Sequence, residues 1–502
     1  MSRFLKQHWA IILSAILLSV SRLPLHTGFL VFVAFVPLLR WLDEGRHKPK
    51  EIMLNALIFS GIQIGIVFYW IGIVTPGGLV GVWLIYALFY AIVFGLLTRL
   101  WTRLPLLRYL AFLSVLISFE YLQNFGETRF PWFNIGYALS DYLLLLQALD
   151  LGGLSLLALL ILSVNFLIHG MGKHPKRNAL LMAGIFLLWA SYGLYCGRRL
   201  PIERHEARIS VMQPSIPQED KWIEDNYYTI IARYDSLTAL AALDGAEMII
   251  YPEAAIPNYL LLIPTHYAEL RRIVEKHQIS VFTGFPHSAP APSDHPESAY
   301  YYNAANLFSP HYSRGDVYLK NILVPIGERM LWLDKFPFLW KLQFGQANWT
   351  FGTEVPRYYC GKHDFAPSIC YELAFAHFMQ RANFELPDGN LAKADYHVNV
   401  TNDAWFGTSY GPWLHGVMTK YRAIESRIQI YRSANTGISM IVDPMGRVLT
   451  SAGLFEITNL HAPLYISPKT PLYHKIYPYP RVFVMLSLAL AILSFFFARR
   501  HK

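Results

Sequence analysis

Eight apolar runs constrain this chain more than any other feature. They lie at 8–20, 28–42, 53–73, 79–101, 107–124, 150–169, 179–196 and 481–498. A helix that crosses a bilayer needs about 20 mostly apolar residues. Lipid offers backbone N–H and C=O groups no partners, so each run must satisfy its own as a helix. The first two runs are short and are expected to form a tight hairpin. This predicts three domains: a bundle of seven spans over 1–199, a polar domain over 200–480, and a last span with a basic tail over 481–502. Arg3 and Lys6 ahead of an apolar stretch imitate a signal peptide. No clean small-x-small cleavage site follows and further spans come after, so cleavage is not expected.

The runs account for a composition that is 54% hydrophobic and only 15% charged. A soluble domain carries roughly 25% charged residues, so a wholly soluble enzyme, a disordered chain and a disulfide scaffold are excluded. The formal net charge of +9 first suggests nucleic acid or acidic lipid. Its distribution argues otherwise. Arg3 and Lys6, then Arg40, Arg46, Lys48 and Lys50, then Arg99, Arg103 and Arg108, then Lys173, Lys176 and Arg177 fall in every second loop, and Arg499, Arg500 and Lys502 end the chain. The intervening short loops carry little beyond Arg22 and Arg129, while Arg198 and Arg199 run against the pattern. Basic loops mark the cytoplasmic side. Both termini are therefore expected in the cytoplasm, the polar domain in the periplasm of a bacterial inner membrane, and no nucleic-acid partner.

Within the spans, Gly61/Gly65 and Gly77/Gly81 have the small-xxx-small spacing of packed helices. Glu120 and Asp150 lie near predicted interfaces, where solvation or capping is expected. No ladder of paired acids and bases crosses the spans, which argues against an ion-coupled transporter.

In the polar segment, Ala207–Met212 alternates as a strand does, 222–242 has helical spacing, and Met248–Tyr251 is a buried strand broken by Pro252. Further helices are expected at 267–277, 371–382 and 414–427. Strands are expected at 279–284, 301–308, 316–319, 365–369 and 396–400, with a pair at 436–442 and 447–450 across the turn Asp443-Pro-Met-Gly446. This is a mixed α/β domain with helices covering sheets.

Three of its segments end a short apolar strand on a reactive side chain: Ile249-Ile-Tyr-Pro-Glu253, Val317-Tyr-Leu-Lys320 and Ala366-Pro-Ser-Ile-Cys370. Open α/β sheets build sites at strand ends. A thiol, a carboxylate and an ammonium suffice for acyl transfer: the thiol attacks a carbonyl, the carboxylate takes its proton, and the ammonium donates to the oxyanion. Taken singly, each has a plain structural reading. Glu253 could be a solvated turn acid, Lys320 a surface charge, and Cys370 a buried apolar residue or a partner for Cys360.

Together with their surroundings these segments resemble a known family. Tyr251-Pro-Glu-Ala-Ala-Ile-Pro257, Lys320-Asn-Ile-Leu-Val-Pro-Ile-Gly-Glu328 and Ser368-Ile-Cys-Tyr-Glu372 are similar to the Glu, Lys and Cys blocks of the nitrilase superfamily. Val398-Asn-Val-Thr-Asn-Asp-Ala-Trp-Phe-Gly407, Gly411-Pro-Trp-Leu-His415, Gln213-Pro-Ser-Ile-Pro-Gln218 and Lys221-Trp222 narrow the resemblance to the apolipoprotein N-acyltransferase family, over the whole chain. One departure is Tyr251, where that family usually has Trp. The resemblance implies an αββα sandwich between seven spans and one. The implied reaction is the last step of bacterial lipoprotein maturation. It moves the sn-1 acyl chain of a membrane phospholipid onto the α-amino group of a diacylglyceryl-cysteine apolipoprotein, through an enzyme thioester. By position it implies Cys370 as nucleophile, Glu253 as base and Lys320 as oxyanion donor. Glu328, Tyr371 and Glu372 would support them, with the Tyr371 amide as second oxyanion donor. Trp222 and Trp405 would line the substrate path, although core packing explains large aromatics equally well.

The physics of the donor points the same way. Each buried CH₂ is worth about 0.8 kcal/mol, so a chain of about 16 carbons holds to lipid by roughly 12 kcal/mol. The site must then lie at the membrane surface. Tyr259–Ile263, Met330–Leu333 and Phe336–Trp340 are apolar segments able to dip into lipid or to serve as ordinary core. The competing readings are a membrane-tethered amidase or nitrilase with water as acceptor, and a transporter or scaffold with an inert ectodomain. His295-Pro-Glu297 has a ligand-like spacing but sits in a Pro-rich loop. No metal or cofactor is expected, and a monomer is.

Overall fold

The computed structural model describes residues 3–45, 47–293, 298–310, 316–341 and 348–498. Arg46, His295, Glu297, Arg499, Arg500 and Lys502 lie outside them. The chain forms two compact units. One gathers Met1–Gly126, Phe130–Arg199 and Leu472–Lys502, and the other Glu127–Arg129 and Leu200–Pro471. Residues 472–480, which composition places with the polar domain, pack instead with the helices.

The first unit is helical: α1 (Arg3–Val20), α2 (Val36–Asp43), α3 (Pro49–Val67), α4 (Pro76–Arg103), α5 (Arg108–Leu122), α6 (Leu149–His169), α7 (Pro175–Arg199) and a C-terminal helix, Arg481–Ala498. Among the described residues, five helices are long and apolar enough to cross a membrane: Pro49–Val67, Pro76–Arg103, Pro105–Leu122, Leu149–Gly172 and Pro175–Arg199. Phe4–Val20 and Arg481–Phe497 are shorter apolar helices. The run at 28–42 is not one helix. It is a 3₁₀ turn, Gly28–Phe32, followed by the eight-residue α2, whose Pro37 sits in the first turn. Proline lacks the N–H that would continue a preceding helix, so the run restarts there.

Side-chain contacts sort this unit into two ends. At one end Asp43 accepts from Trp101 Nε1 (2.9 Å) and pairs with Arg108 (3.4 Å) and His169 (2.8 Å). Arg99 donates to Ser494 (2.7 Å) and stacks on Phe495, while His8 meets Asn55. The N-terminal helix, the basic loops after α2, α4 and α6, and the C-terminal helix therefore share an end. At the other end Tyr86 donates to the Phe130 carbonyl (2.7 Å) and stacks on Phe133. Arg22 is buried there, donating to the Trp132 carbonyl and lying over Phe68. Glu120 and Asp150 are buried rather than solvated. Glu120 accepts the Ile135 amide (2.7 Å) and Asp150 the Tyr192 phenol (2.6 Å), so each secures a neighbouring segment. Of the four spaced glycines only Gly61 meets a neighbour, with Trp83 Nε1 3.1 Å from where a Cβ would stand; Gly65, Gly77 and Gly81 face open space. A different glycine matters more. Gly153 kinks α6 at φ +58°, and the Tyr473 ring occupies the place of its Cβ.

The second unit holds two six-stranded sheets. The first has the order β12-β1-β2-β3-β4-β5, with β1 (Glu203–Gln213), β2 (Met248–Ile250), β3 (Ser280–Pro290), β4 (Ala299–Phe308), β5 (Tyr318–Leu319) and β12 (Thr458–Ile466). The second has the order β11-β10-β9-β8-β7-β6, with β6 (Tyr358–Cys360), β7 (His363–Ile369), β8 (Tyr396–Thr401), β9 (Gln429–Ala434), β10 (Met440–Val442) and β11 (Val448–Ser451). The centre of each sheet is parallel: β1, β2 and β3 in one, β7, β8 and β9 in the other. Side chains alternate across the strands. Ile249, Val281 and Phe285 pack under α8 (Tyr227–Leu243) and α9 (Pro264–His277). Phe282 points the other way, meeting Tyr358 and Phe365 of the second sheet at 5.3 and 5.2 Å. Helices α10 (Ala376–Phe384) and α11 (Gly411–Ser426) contact the second sheet. The layers run helix, sheet, sheet, helix, a mixed α/β domain. The helix expected at 371–382 is broken at Phe375, whose extended backbone separates a 3₁₀ turn (Cys370–Ala374) from α10.

Candidate active site

Glu253, Lys320 and Cys370 each follow a strand end, after β2, β5 and β7. The turn that carries Glu253 lies flat on β3. A Cβ on Gly284 would stand 2.7 Å from the Ala254 amide nitrogen, so glycine is required there. Tyr251, just before that turn, stacks on Tyr234 and shares a hydrogen bond with Thr238 (2.6 Å). The Glu253 carboxylate accepts from Asn303 (2.7 Å), from Lys320 Nζ (3.3 Å) and from the Asn402 amide (2.9 Å). Lys320 also donates to Glu328 (2.8 Å), which accepts from Asn303 and the Val324 amide. Burial opposes the charge on Lys320, but Glu253 and Glu328 outweigh it and hold its pKa above the usual lysine value. It stays an ammonium.

Cys370 occupies the left-handed region at φ +50° and opens the 3₁₀ turn. Such a position is strained for a non-glycine residue and marks functional turns. Burial, then the Glu253 carboxylate, push its thiol pKa up against the pull of Lys320, so the resting group is a thiol. Cys360 is a separate free thiol, raised to about 12 by burial, so the two cysteines are not paired. Glu372 has a different set of partners. It is fully buried, accepting from the Ile369, Asn321 and Ile322 amides and the Tyr318 phenol, and so ties the Lys320 segment to the Cys370 turn. Burial raises it to about 7. Tyr371 is buried and donates its phenol to the Arg129 carbonyl (2.6 Å).

Trp222 and Trp405 are 51% and 52% exposed, which rules out core packing for both. Lys221, beside Trp222, is buried and donates to the Glu253 carbonyl (3.0 Å); burial lowers its pKa to about 8. Trp405 lies two residues beyond Asp403. The apolar loops divide: Leu260 and Leu333 are core, while Leu262, Trp332, Phe336 and Phe338 are exposed. Among the described residues no group of His, Cys, Asp and Glu could hold a metal ion.

Sequence reasoning assigned no role to Lys221, Asn303 or Asn402, nor to the buried set Asp403, His415 and Arg432. Arg432 donates to Asp403 (2.7 Å) and Asn399 (2.7 Å). The His415 ring nitrogens lie 2.9 Å from Asp403 and 3.1 Å from the Cys370 carbonyl oxygen. Burial disfavours ionised Asp403, but Arg432 and His415 hold its pKa down at about 2. That is below the unfolded value of about 3.9, so its stabilisation is present above about pH 4 and lost as pH falls through 2. Arg432→Met leaves this carboxylate buried without its main partner. A loss of about 3–5 kcal/mol is expected in thermal unfolding, partly recovered in Arg432→Met/Asp403→Asn. A double variant no more stable than the single would show that the charge pair is not the cause.

Residues 14–167 match the apolipoprotein N-acyltransferase N-terminal domain, and 208–464 match the carbon-nitrogen hydrolase family. The apolipoprotein N-acyltransferase of Rickettsia typhi is 30% identical over 69% of this chain and 68% of its own, and that of Agrobacterium fabrum 30% over 82% and 76%. The chain belongs to the apolipoprotein N-acyltransferase family. The enzyme of that name from Geobacter metallireducens is 28% identical over 98% of this chain and 95% of its own, so the similarity takes in both units. Membership makes this chain an acyltransferase of the nitrilase superfamily and connects it with lipoprotein biosynthesis; its apolar helices fit a membrane protein.

Proposed function

We propose that the protein transfers an acyl chain from a membrane phospholipid to the N-terminal α-amino group of a diacylglyceryl-cysteine apolipoprotein, in two steps through a thioester on Cys370. The observation that carries the reading is the buried Glu253–Lys320–Glu328 cluster, with a thiol on a left-handed turn electrostatically coupled to it. As the Cys370 sulfur attacks the ester carbonyl, its proton passes to Glu253, which Asn303 and the Asn402 amide hold in place. Lys320, oriented by Glu328, and the Tyr371 amide donate to the oxyanion. Collapse breaks the ester C–O bond, and the proton on Glu253 goes to the departing lysophospholipid oxygen. In the second step the acceptor amine attacks the thioester, Glu253 takes its proton, and the C–S bond breaks to restore the thiol. Trp222 and Trp405 are assigned to the substrate path, which their exposure supports, Trp222 next to Lys221 and Trp405 in the 3₁₀ turn that follows Asn402.

With this goes a topology of seven passes, 1–199, a periplasmic domain, 200–480, and one pass with a cytoplasmic tail, 481–502. The second pass is the broken segment Gly28–Asp43. Support comes from the shared end of the bundle, where the basic loops gather. An odd number of passes then puts the domain across an inner membrane from both termini. The protein is taken to act as a monomer.

Mass spectrometry after incubation with phospholipid alone tests the scheme. An acyl mass on Cys370 is expected. Acyl that arrives only when acceptor peptide is also present would sink the two-step order. Ammonia released from small amides, with no acyl transfer, would favour the amidase reading.

A further inference from the structure

Arg129 belongs to the tripeptide Glu127–Arg129, which packs with the second unit. Its carbonyl receives the Tyr371 phenol, one residue past the thiol. Its guanidinium lies over Phe351, 5.7 Å from the ring centroid. The next residue, Gly352, donates its amide to the Lys320 carbonyl (2.8 Å). Arg129 therefore sits between the nucleophile turn and the lysine strand.

Two fully buried guanidiniums of this unit are paired with acids, Arg422 with Glu425 and Arg432 with Asp403. Arg129 Nε is buried and has no hydrogen-bond partner, and among the described residues no carboxylate pairs with the guanidinium. The nearest acid in sequence, Glu127, faces the Trp332 amide (3.4 Å). His377 feels Arg129, Arg381 and Arg422 together, and after burial their charges help to depress it to about 4, so it is neutral at pH 7. Arg129 is half-buried, and a half-buried cation without a counter-ion favours an anionic ligand that completes it.

We propose that Arg129 binds the phosphodiester of the acyl donor, with the donor's ester, one glycerol unit away, reaching Cys370. This rests on the reading of the donor as a phospholipid. A planar guanidinium gives two parallel charge-assisted hydrogen bonds to phosphate oxygens.

The test compares thioester formation on Cys370 from phosphatidylglycerol in mixed micelles with that from an uncharged short-chain p-nitrophenyl ester. Arg129→Gln is expected to raise KM for the phospholipid about tenfold to a hundredfold and to leave the neutral ester unchanged, with Arg129→Lys recovering part. Equal losses on both donors, or none on the phospholipid, would overturn the assignment. Inorganic phosphate carries the same oxygens without the glycerol. Inhibition of neutral-ester loading by phosphate in wild type, absent in Arg129→Gln, would make the site one for free anion and remove the lipid assignment. Wild-type protein that loads from the neutral ester and never from phospholipid would remove the donor reading, and this one with it.

Discussion

Cys370→Ser is expected to abolish acyl transfer, leaving less than roughly one part in 10⁴ of wild-type turnover. A serine hydroxyl is a far weaker acid than a thiol, and the proton acceptor beside it is only a carboxylate. The thiol itself is held protonated by burial and by Glu253, so the proton must move during attack, and the larger mismatch for serine stops the step. The backbone should tolerate the exchange, because serine is close in size and the φ of +50° strains both residues alike. Circular dichroism and thermal unfolding near wild type would confirm an intact fold. Product formed at a normal rate by Cys370→Ser would remove the nucleophile assignment.

Lys320→Met is expected to fail in two ways. Loss of the proposed oxyanion donor should lower turnover about 10²–10³-fold. Loss of the ammonium also leaves Glu253 and Glu328 facing each other without the cation that both contact. Breaking a buried ion pair from one side costs about 3–5 kcal/mol, so thermal unfolding should shift down by several degrees. The double variant Lys320→Met/Glu253→Gln separates the two effects. It should regain stability, since one buried charge is gone, and stay inactive. A double variant as unstable as the single would show that packing of the lysine stem, rather than its charge, supports the fold.

Much of the candidate site was legible because its reactive side chains stand where apolar runs stop. Ile249-Ile-Tyr-Pro-Glu253 and Ala366-Pro-Ser-Ile-Cys370 each announce a strand, a break and a reactive side chain, and the structure places all three elements there. Strand β9 was missed. It is entirely buried yet contains Gln429, Arg432 and Ser433, so it offers no apolar alternation. Its polarity makes sense only against partners distant in the chain: Asp403, Asn399 and the Met212 carbonyl. Asn303 was invisible for a similar reason. Nothing in Tyr300-Tyr-Tyr-Asn303 marks it, and only the pairing of β4 with β3 and β5 turns its amide onto Glu253 and Glu328. The run at 28–42 misled because hydropathy does not register where Pro37 interrupts a helix.

By itself the sequence determined the kind of protein this is. Apolar runs of span length, basic loops and three strand-end side chains are local properties, written in neighbouring residues and decided by solvent transfer and backbone hydrogen bonding. Tertiary structure alone decided how the site is charged and held. Lys320 remains an ammonium because Glu253 and Glu328 converge on it. Cys370 remains a thiol because burial and Glu253 outweigh Lys320. Glu372 ties the Lys320 segment to the Cys370 turn. These depend on which charges share a low-dielectric pocket, and the fold assembles that set from residues up to about 150 positions apart, such as Glu253 and Asn402.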